Sequence, residues 1–231
     1  MPVTSRTSLY PALSALLVAV AATAAQADVT IKPHTDKPAG YSDAIAAQVS
    51  PEGFQFQADG EPLCDIHLAS SLSAKANFKP TLNVKYPFQT GQFIGVLIVP
   101  EGVTFHDFRG QEIPSGSYTL RYGQQPVDGN HIGTSDVYDF LLMLPADADE
   151  SPEPIEAFED LAARSAQSAG SNHPAILLMP GADDKRPTEK GTILHDEDHD
   201  FWIFSKSAAA KADGKSLQVP FRVIVQGRAQ E

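Results

Sequence analysis

From Gly53 onward the apolar residues of this chain recur at every second position. GFQFQ and PLCDIHL alternate cleanly, and a period of two marks strands with one buried face. QFIGVLIV (92–99) is apolar on both faces, which predicts a central, doubly buried strand. VTFHDF, SYTLRY, VYDFLLML, PAILLMP, GTILH, DFWIFSK and SLQVPFRVIVQG continue the strand pattern, with turn residues between them. Residues 28–50 read as a loose arm with one short strand at Val29, Thr30 and Ile31, and 207–215 as a small polar connection. One segment differs: in SPEPIEAFEDLAARSAQSAG (151–170), Ile155, Phe158, Leu161 and Ala162 fall at helical spacing. Acids crowd its first turns and Gly170 can close its C-terminus. The expectation is an all-β, antiparallel, jelly-roll-like sandwich with one inserted helix near 153–169.

The first 27 residues read as a secretory signal peptide. Arg6 supplies a short basic region, an apolar run follows from Leu9, and Ala25-Gln26-Ala27 forms an A-x-A cleavage site before Asp28. Residues 28–231 are then expected to form one β-sandwich domain, periplasmic or secreted, with no membrane insertion after cleavage. Cys64 is the sole cysteine, so an internal disulfide and a multi-cysteine metal site are both excluded. Its alternating apolar neighbours predict a buried, inert thiol.

Removing Arg6 with the leader leaves 16 basic against 29 acidic residues, a net charge of −13. Nucleic acids are held by Lys and Arg contacts to phosphate, so this balance argues against a nucleic-acid partner. G-x-S-x-G, S-x-x-K, H-E-x-x-H, P-loop and dinucleotide-glycine patterns are all missing.

One connection is far longer than a hairpin needs. QQPVDGNHIGTSDVYDF (124–140) places Asp128, Asn130, His131, Ser135 and Asp136 between two strands, with Gly129 and Gly133 flanking the histidine. Long connections in compact domains tend to be functional or disordered, and histidine supplies a ligand or a proton near neutral pH. Pairing Tyr122 with Tyr138 would set Arg121 opposite Asp139 at the base of this loop. Arg109, Arg121, Asp128, His131 and Asp139 are therefore the candidate ligand-binding residues. His131 with His173 is the candidate metal pair, with His106 as a further neighbour.

The stretch FRGQEIPSGSYTLRYGQQPVDGNHIGTSDVYDFLLMLP, with the later SNHPAILLMP, resembles an uncharacterised family of secreted bacterial proteins. The resemblance covers roughly residues 60–180. It implies a β-rich fold and treats 109–140 as one unit, and it implies no activity, ligand or catalytic residue. Where the family pattern has an aromatic, this chain has His67, so nothing is carried over to that strand.

LHDEDHDFW (194–202) sets His195 and His199 around an acidic cluster, and the flanking strands make this a hairpin tip. The functional expectation is a non-catalytic binding or accessory module that uses the 123–137 loop, without a cofactor, for a small molecule or an envelope protein. The alternative is a metal-dependent, hydrolase-like enzyme with a His/Asp site at His131 and a divalent metal. Mass spectrometry of the exported protein should find Asp28 at the N-terminus. A mature chain that begins at Met1 would refute the leader.

Overall fold

The computed structural model describes residues 28–125, 139–181 and 189–228. Residues 1–27, the expected leader, and Asp128, Gly129, Asn130, His131, Gly133, Ser135 and Asp136 of the long connection lie outside the described residues.

The described chain is an antiparallel β-sandwich with one substantial helix. Its larger sheet comprises β1 (Val29–His34), β2 (Val49–Ala58), β3 (Glu61–Ala69), β5 (Phe93–Val99), β8 (Gly116–Gln124), β9 (Asp139–Pro145) and β10 (Ile176–Leu178). They lie side by side in that order, a meander in which every pairing is antiparallel. The smaller sheet joins β11 (Thr192–Asp196), β12 (Phe201–Ala212) and β13 (Lys215–Gln226), and β4 (Leu72–Ser73) pairs parallel with β12. Two short strands, β6 (Phe105–His106) and β7 (Glu112–Ile113), pair with each other.

Alternation explains where the core sits. Phe54 and Phe56 of β2 point inward and meet Phe204 of β12, with ring centroids 4.9 and 5.2 Å apart. Phe221 of β13 packs on the same ring. Cys64, Ile66, Leu120, Tyr122, Leu141 and Met143 extend this core across the larger sheet. Strand β5, fourth of seven, is buried on both faces as its sequence requires. So is β9. Its Leu141 and Met143 face the main core, while Phe140, Leu142 and Leu144 pack with Leu161 of the helix α2 (Phe158–Gln167).

The helix lies inside the expected stretch but begins at Phe158. Residues 151–155 are drawn away instead: the carbonyls of Ser151 and Glu153 accept from Arg121, and the Ile155 N–H donates to the Gly91 carbonyl. Pro152 and Pro154 favour that extended path, because a proline disfavours helical angles at the residue before it.

Two other stretches differ from their sequence reading. The arm after β1 is pinned across the outer face of the larger sheet. Tyr41 donates to the carbonyl of Leu97 at 2.9 Å, Ser117 donates to that of Ala39 at 3.1 Å, and Ile45 of the short helix α1 (Asp43–Ala46) packs with Val49, Phe93 and Val96. Residues 207–212 continue β12, and Asp213-Gly214 turns the chain into β13 with φ of 48° and 74°. Both positive angles fit a two-residue hairpin turn whose twist matches its strands. Ala208 and Ala210 face the core, where small side chains leave room for close packing.

Candidate functional site

The stem of the long connection is built by the end of β8 and the start of β9. Their register pairs Gln124 with Asp139 and Arg121 with Leu142. The expected pairing of Arg121 with Asp139 is therefore displaced by three positions. Side chains alternate along a strand, so an odd displacement places the two residues on opposite faces of the sheet. Arg121 and Asp139 do not brace one another.

Arg121 instead faces outward from the main core and is fully buried there. Its Nε and Nη2 donate to the two oxygens of Asp149 at 2.7 and 2.8 Å. Nη1 donates to the Gly91 and Glu153 carbonyls at 2.8 and 2.6 Å, and Nη2 also donates to the Ser151 carbonyl. Thr119 adds a hydroxyl donor to Asp149, and the Phe93 ring lies under the guanidinium. All five N–H donors of the side chain have acceptors. Arg121 is thus a structural hub with no donor left for a ligand.

Asp139 faces the core side and is also fully buried. Its Oδ1 accepts from the Tyr122 hydroxyl, which accepts from Gln124 Nε2 at 2.9 Å. Its Oδ2 accepts from the Lys85 N–H at 2.6 Å. Close by, the Tyr86 hydroxyl donates to the Pro180 carbonyl at 2.8 Å and accepts from the Arg222 N–H at 3.1 Å. Burial pushes the Asp139 carboxyl above its usual range and raises the Tyr122 and Tyr86 hydroxyls far above theirs. These tyrosines stay protonated at any physiological pH. They hold the stem in place and supply no nucleophile.

Asp128 and His131 lie outside the described residues. Arg109 and His173 are exposed, and their segments are joined through a buried aspartate. Asp107 Oδ1 accepts from the N–H groups of Arg109 and Gln111 at 3.0 and 2.7 Å, and its Oδ2 accepts from the Ile176 N–H at 3.0 Å. Gln111 Nε2 also donates to the Pro174 carbonyl at 3.0 Å. This frame ties the two segments together while both side chains stay exposed. At the β11–β12 hairpin tip, His195 bonds Asp200 at 3.2 Å and stacks on Trp202, while His199 bonds Asp196 at 3.0 Å. Each of these histidines already has a carboxylate partner. No group of three or more His, Cys, Asp or Glu side chains among the described residues sits at metal-binding spacing.

Sequence reading missed a second polar cluster, on the outer face of β1, β2 and β3. His34 lies opposite Gly53, and Gly53 lies opposite His67, so the three form one row across three strands. A Cβ on Gly53 would come within 2.3 Å of the His67 ring. The missing side chain is what lets that ring lie across β2 toward His34, with centroids 5.0 Å apart. Asp65, two residues from His67 on the same face, brings its Oδ1 to 4.0 Å from His34 Nε2. A glycine inside a strand marks a bulge or a close approach, and β2 has a register shift between Val49 and Gly53. That glycine was the available signal. The histidines themselves are 33 positions apart and meet only through pairing.

No family model, no curated protein and no solved structure matches the chain.

The raised carboxyl of Asp139 has a defined consequence for stability. A folded pKa above the unfolded value of about 3.9 means a contribution fully present below that value and lost as pH rises through the folded pKa. Asp139→Asn removes this contribution. The stability advantage of the wild-type protein over Asp139→Asn should therefore widen as pH falls from neutral toward the unfolded carboxyl pKa, measured by urea unfolding. A gap that narrows with acid would contradict the burial reading.

Proposed function

We propose that the protein is an exported, non-catalytic binding module that presents the 123–137 connection from a fixed stem. The observation that carries this reading is the stem itself. Gln124 and Asp139 are paired in register, and buried hydrogen bonds from Tyr122 and Lys85 hold both carboxylate oxygens of Asp139. The Asp139 carbonyl also accepts from the Met179 N–H at 3.0 Å. Contact residues keep their geometry best when their support is rigid, and a passive link needs no such anchorage. The stem's ionisable groups are bonded within the fold, which favours binding over chemistry. The acidic surface favours a small molecule or an envelope protein as partner, and disfavours nucleic acid. Among the described residues no helix is long and apolar enough to cross a membrane. The leader supports export to the periplasm or beyond.

The test shortens the connection and leaves the stem. Replacing 125–138 by Asn-Gly closes a two-residue hairpin on the Gln124–Asp139 pair. The melting temperature should stay within about 4 °C of the wild-type value, equivalent to ~1 kcal/mol. Retention of detergent-extracted envelope proteins, and thermal shifts in a panel of periplasmic small molecules, should be seen for the wild-type protein and lost in the variant. Equal responses from the two proteins, or none from either, would contradict the reading.

A further inference from the structure

Strand β12 is paired along the whole of one edge and only along parts of the other. On one side β13 accompanies it from Trp202 to Ala212. On the other side β11 reaches Ser205 and β4 begins at Ala210, so Lys206, Ser207, Ala208 and Ala209 face no strand among the described residues. Four residues of extended chain span about 13 Å. The result is a break inside the smaller sheet, bounded at both ends by the sheet's own strands. An open strand edge is a template for pairing with another chain.

Backbone groups of alternate residues along a strand point to opposite edges. The Lys211 carbonyl accepts from the Ala74 N–H at 2.8 Å, just beyond β4, which sets the phase. Ser207 and Ala209 share that phase and turn their N–H and C=O groups into the break, while Lys206 and Ala208 serve β13. Pro220 of β13 stands opposite Ser207 and agrees with this, since proline has no N–H to give to β12. Two donors and two acceptors are thus held about 6.6 Å apart along the strand, and among the described residues no backbone group meets them. Beside them lies a cavity of about 390 Å³ between the two sheets, walled by Phe54, Leu68 and Ala208. Lys206 lies across it: Nζ donates to Glu52 Oε2 at 2.8 Å and to the Glu189 carbonyl, and sits 4.9 Å from the centre of the Phe54 ring. The ammonium is therefore satisfied within the fold.

We infer that this break receives a short extended segment of another protein, about four residues long, as an added strand between β11 and β4. A peptide in strand conformation is the ligand that carries N–H and C=O groups at the repeat Ser207 and Ala209 present, and pairing with an open sheet edge is an established way to recognise one. The bounded ends exclude a long preformed edge such as the 12-residue β13 of a second copy and admit a single loose chain. At one end Gly191, with φ of 73°, breaks the line of β11 beside Lys206. Side chains directly opposite one another share a face of the sheet. Residues of the added strand opposite Lys206 and Ala208 therefore enter the cavity beside Phe54 and Leu68, which suits apolar side chains. Those opposite Ser207 and Ala209 face outward, as the exposed Ala209 does. Glu52 and Glu189 stand with Lys190 and Lys206 around the cavity, so charge of both signs is already present and an uncharged segment fits it best.

The break shares no residue with the connection at 123–137, so the protein with the shortened connection should keep this binding, and the two readings fail separately. Amide hydrogen exchange, followed by NMR on the mature protein, reads the free state. Ser207 and Ala209 should exchange at least about tenfold faster than Lys206 and Ala208, whose N–H groups are bonded to β13. The capped tetrapeptide Thr-Val-Thr-Val at millimolar concentration should slow exchange at Ser207 and Ala209 and shift the signals of Phe54 and Leu68. The same peptide N-methylated at every amide should do neither, and that comparison needs no variant of the protein. Ala209→Pro takes one donor from the break and none from the β13 ladder, so the variant should fold and lose the peptide. Ser207 and Ala209 already as protected as their neighbours in the free protein would mean that the protein's own chain or a second copy fills the break, and would overturn the inference. So would the absence of any response to the peptide, equal responses to the two peptides, or binding kept in a folded Ala209→Pro protein.

Discussion

A guanidinium with no solvent exposure stands in the middle of a β-sheet, and much of the outer face is arranged to accept it. Transferring such a charge from water costs several kcal/mol even after relaxation, and the cost is recovered only by close pairing with every donor satisfied. Arg121 meets that condition through both Asp149 oxygens and three backbone carbonyls. Those acceptors come from the entry to β5 at Gly91 and from 149–153, so one side chain ties the central strands to the segment that leads into α2. The helix starts late because the residues before it serve Arg121. The helix then covers the outer face of β9, whose two apolar faces make that strand a continuous hydrophobic run.

The same geometry separates the two polar regions of the larger sheet. Asp139, Tyr122 and Tyr86 lie toward the main core, at the end of the sheet from which the long connection departs. The histidine cluster lies on the outer face, near the far edge formed by β1. The first is closed by internal hydrogen bonds and acts as a support. The second is held at His67 Nδ1 by the Ser50 carbonyl and at His34 Nδ1 by the Asp36 N–H.

Local pattern and long-range register divide what the sequence makes legible. Alternation in GFQFQ, doubled burial in QFIGVLIV and helical spacing after Ile155 are local, and each reappears as β2, β5 and α2. The partner of Arg121 depends on how β8 pairs with β9, and three positions of displacement exchange Asp139 for Asp149. Nothing within SYTLRY or VYDFLLML sets that register; it follows from burying Tyr122 and Leu141 together against the core. The alanine run 207–212 reads as a connection because alanine favours no strand, yet its alternate residues fit a tight gap between sheets. His34, Gly53 and His67 carry no common motif, and only two pairings and a bulge bring them into a row.

The dependence of the outer face on one buried ion pair is open to a double-mutant cycle on Arg121→Met and Asp149→Leu, read by equilibrium unfolding in urea. Each single change leaves an unpaired polar or charged partner and should cost about 3–5 kcal/mol, while the double change replaces the pair with apolar volume. The account predicts that the double variant is more stable than the Arg121→Met or Asp149→Leu protein alone, with a coupling of roughly 2 kcal/mol or more. Additive losses would contradict it and would mean that Arg121 and Asp149 are held by their surroundings and not by each other.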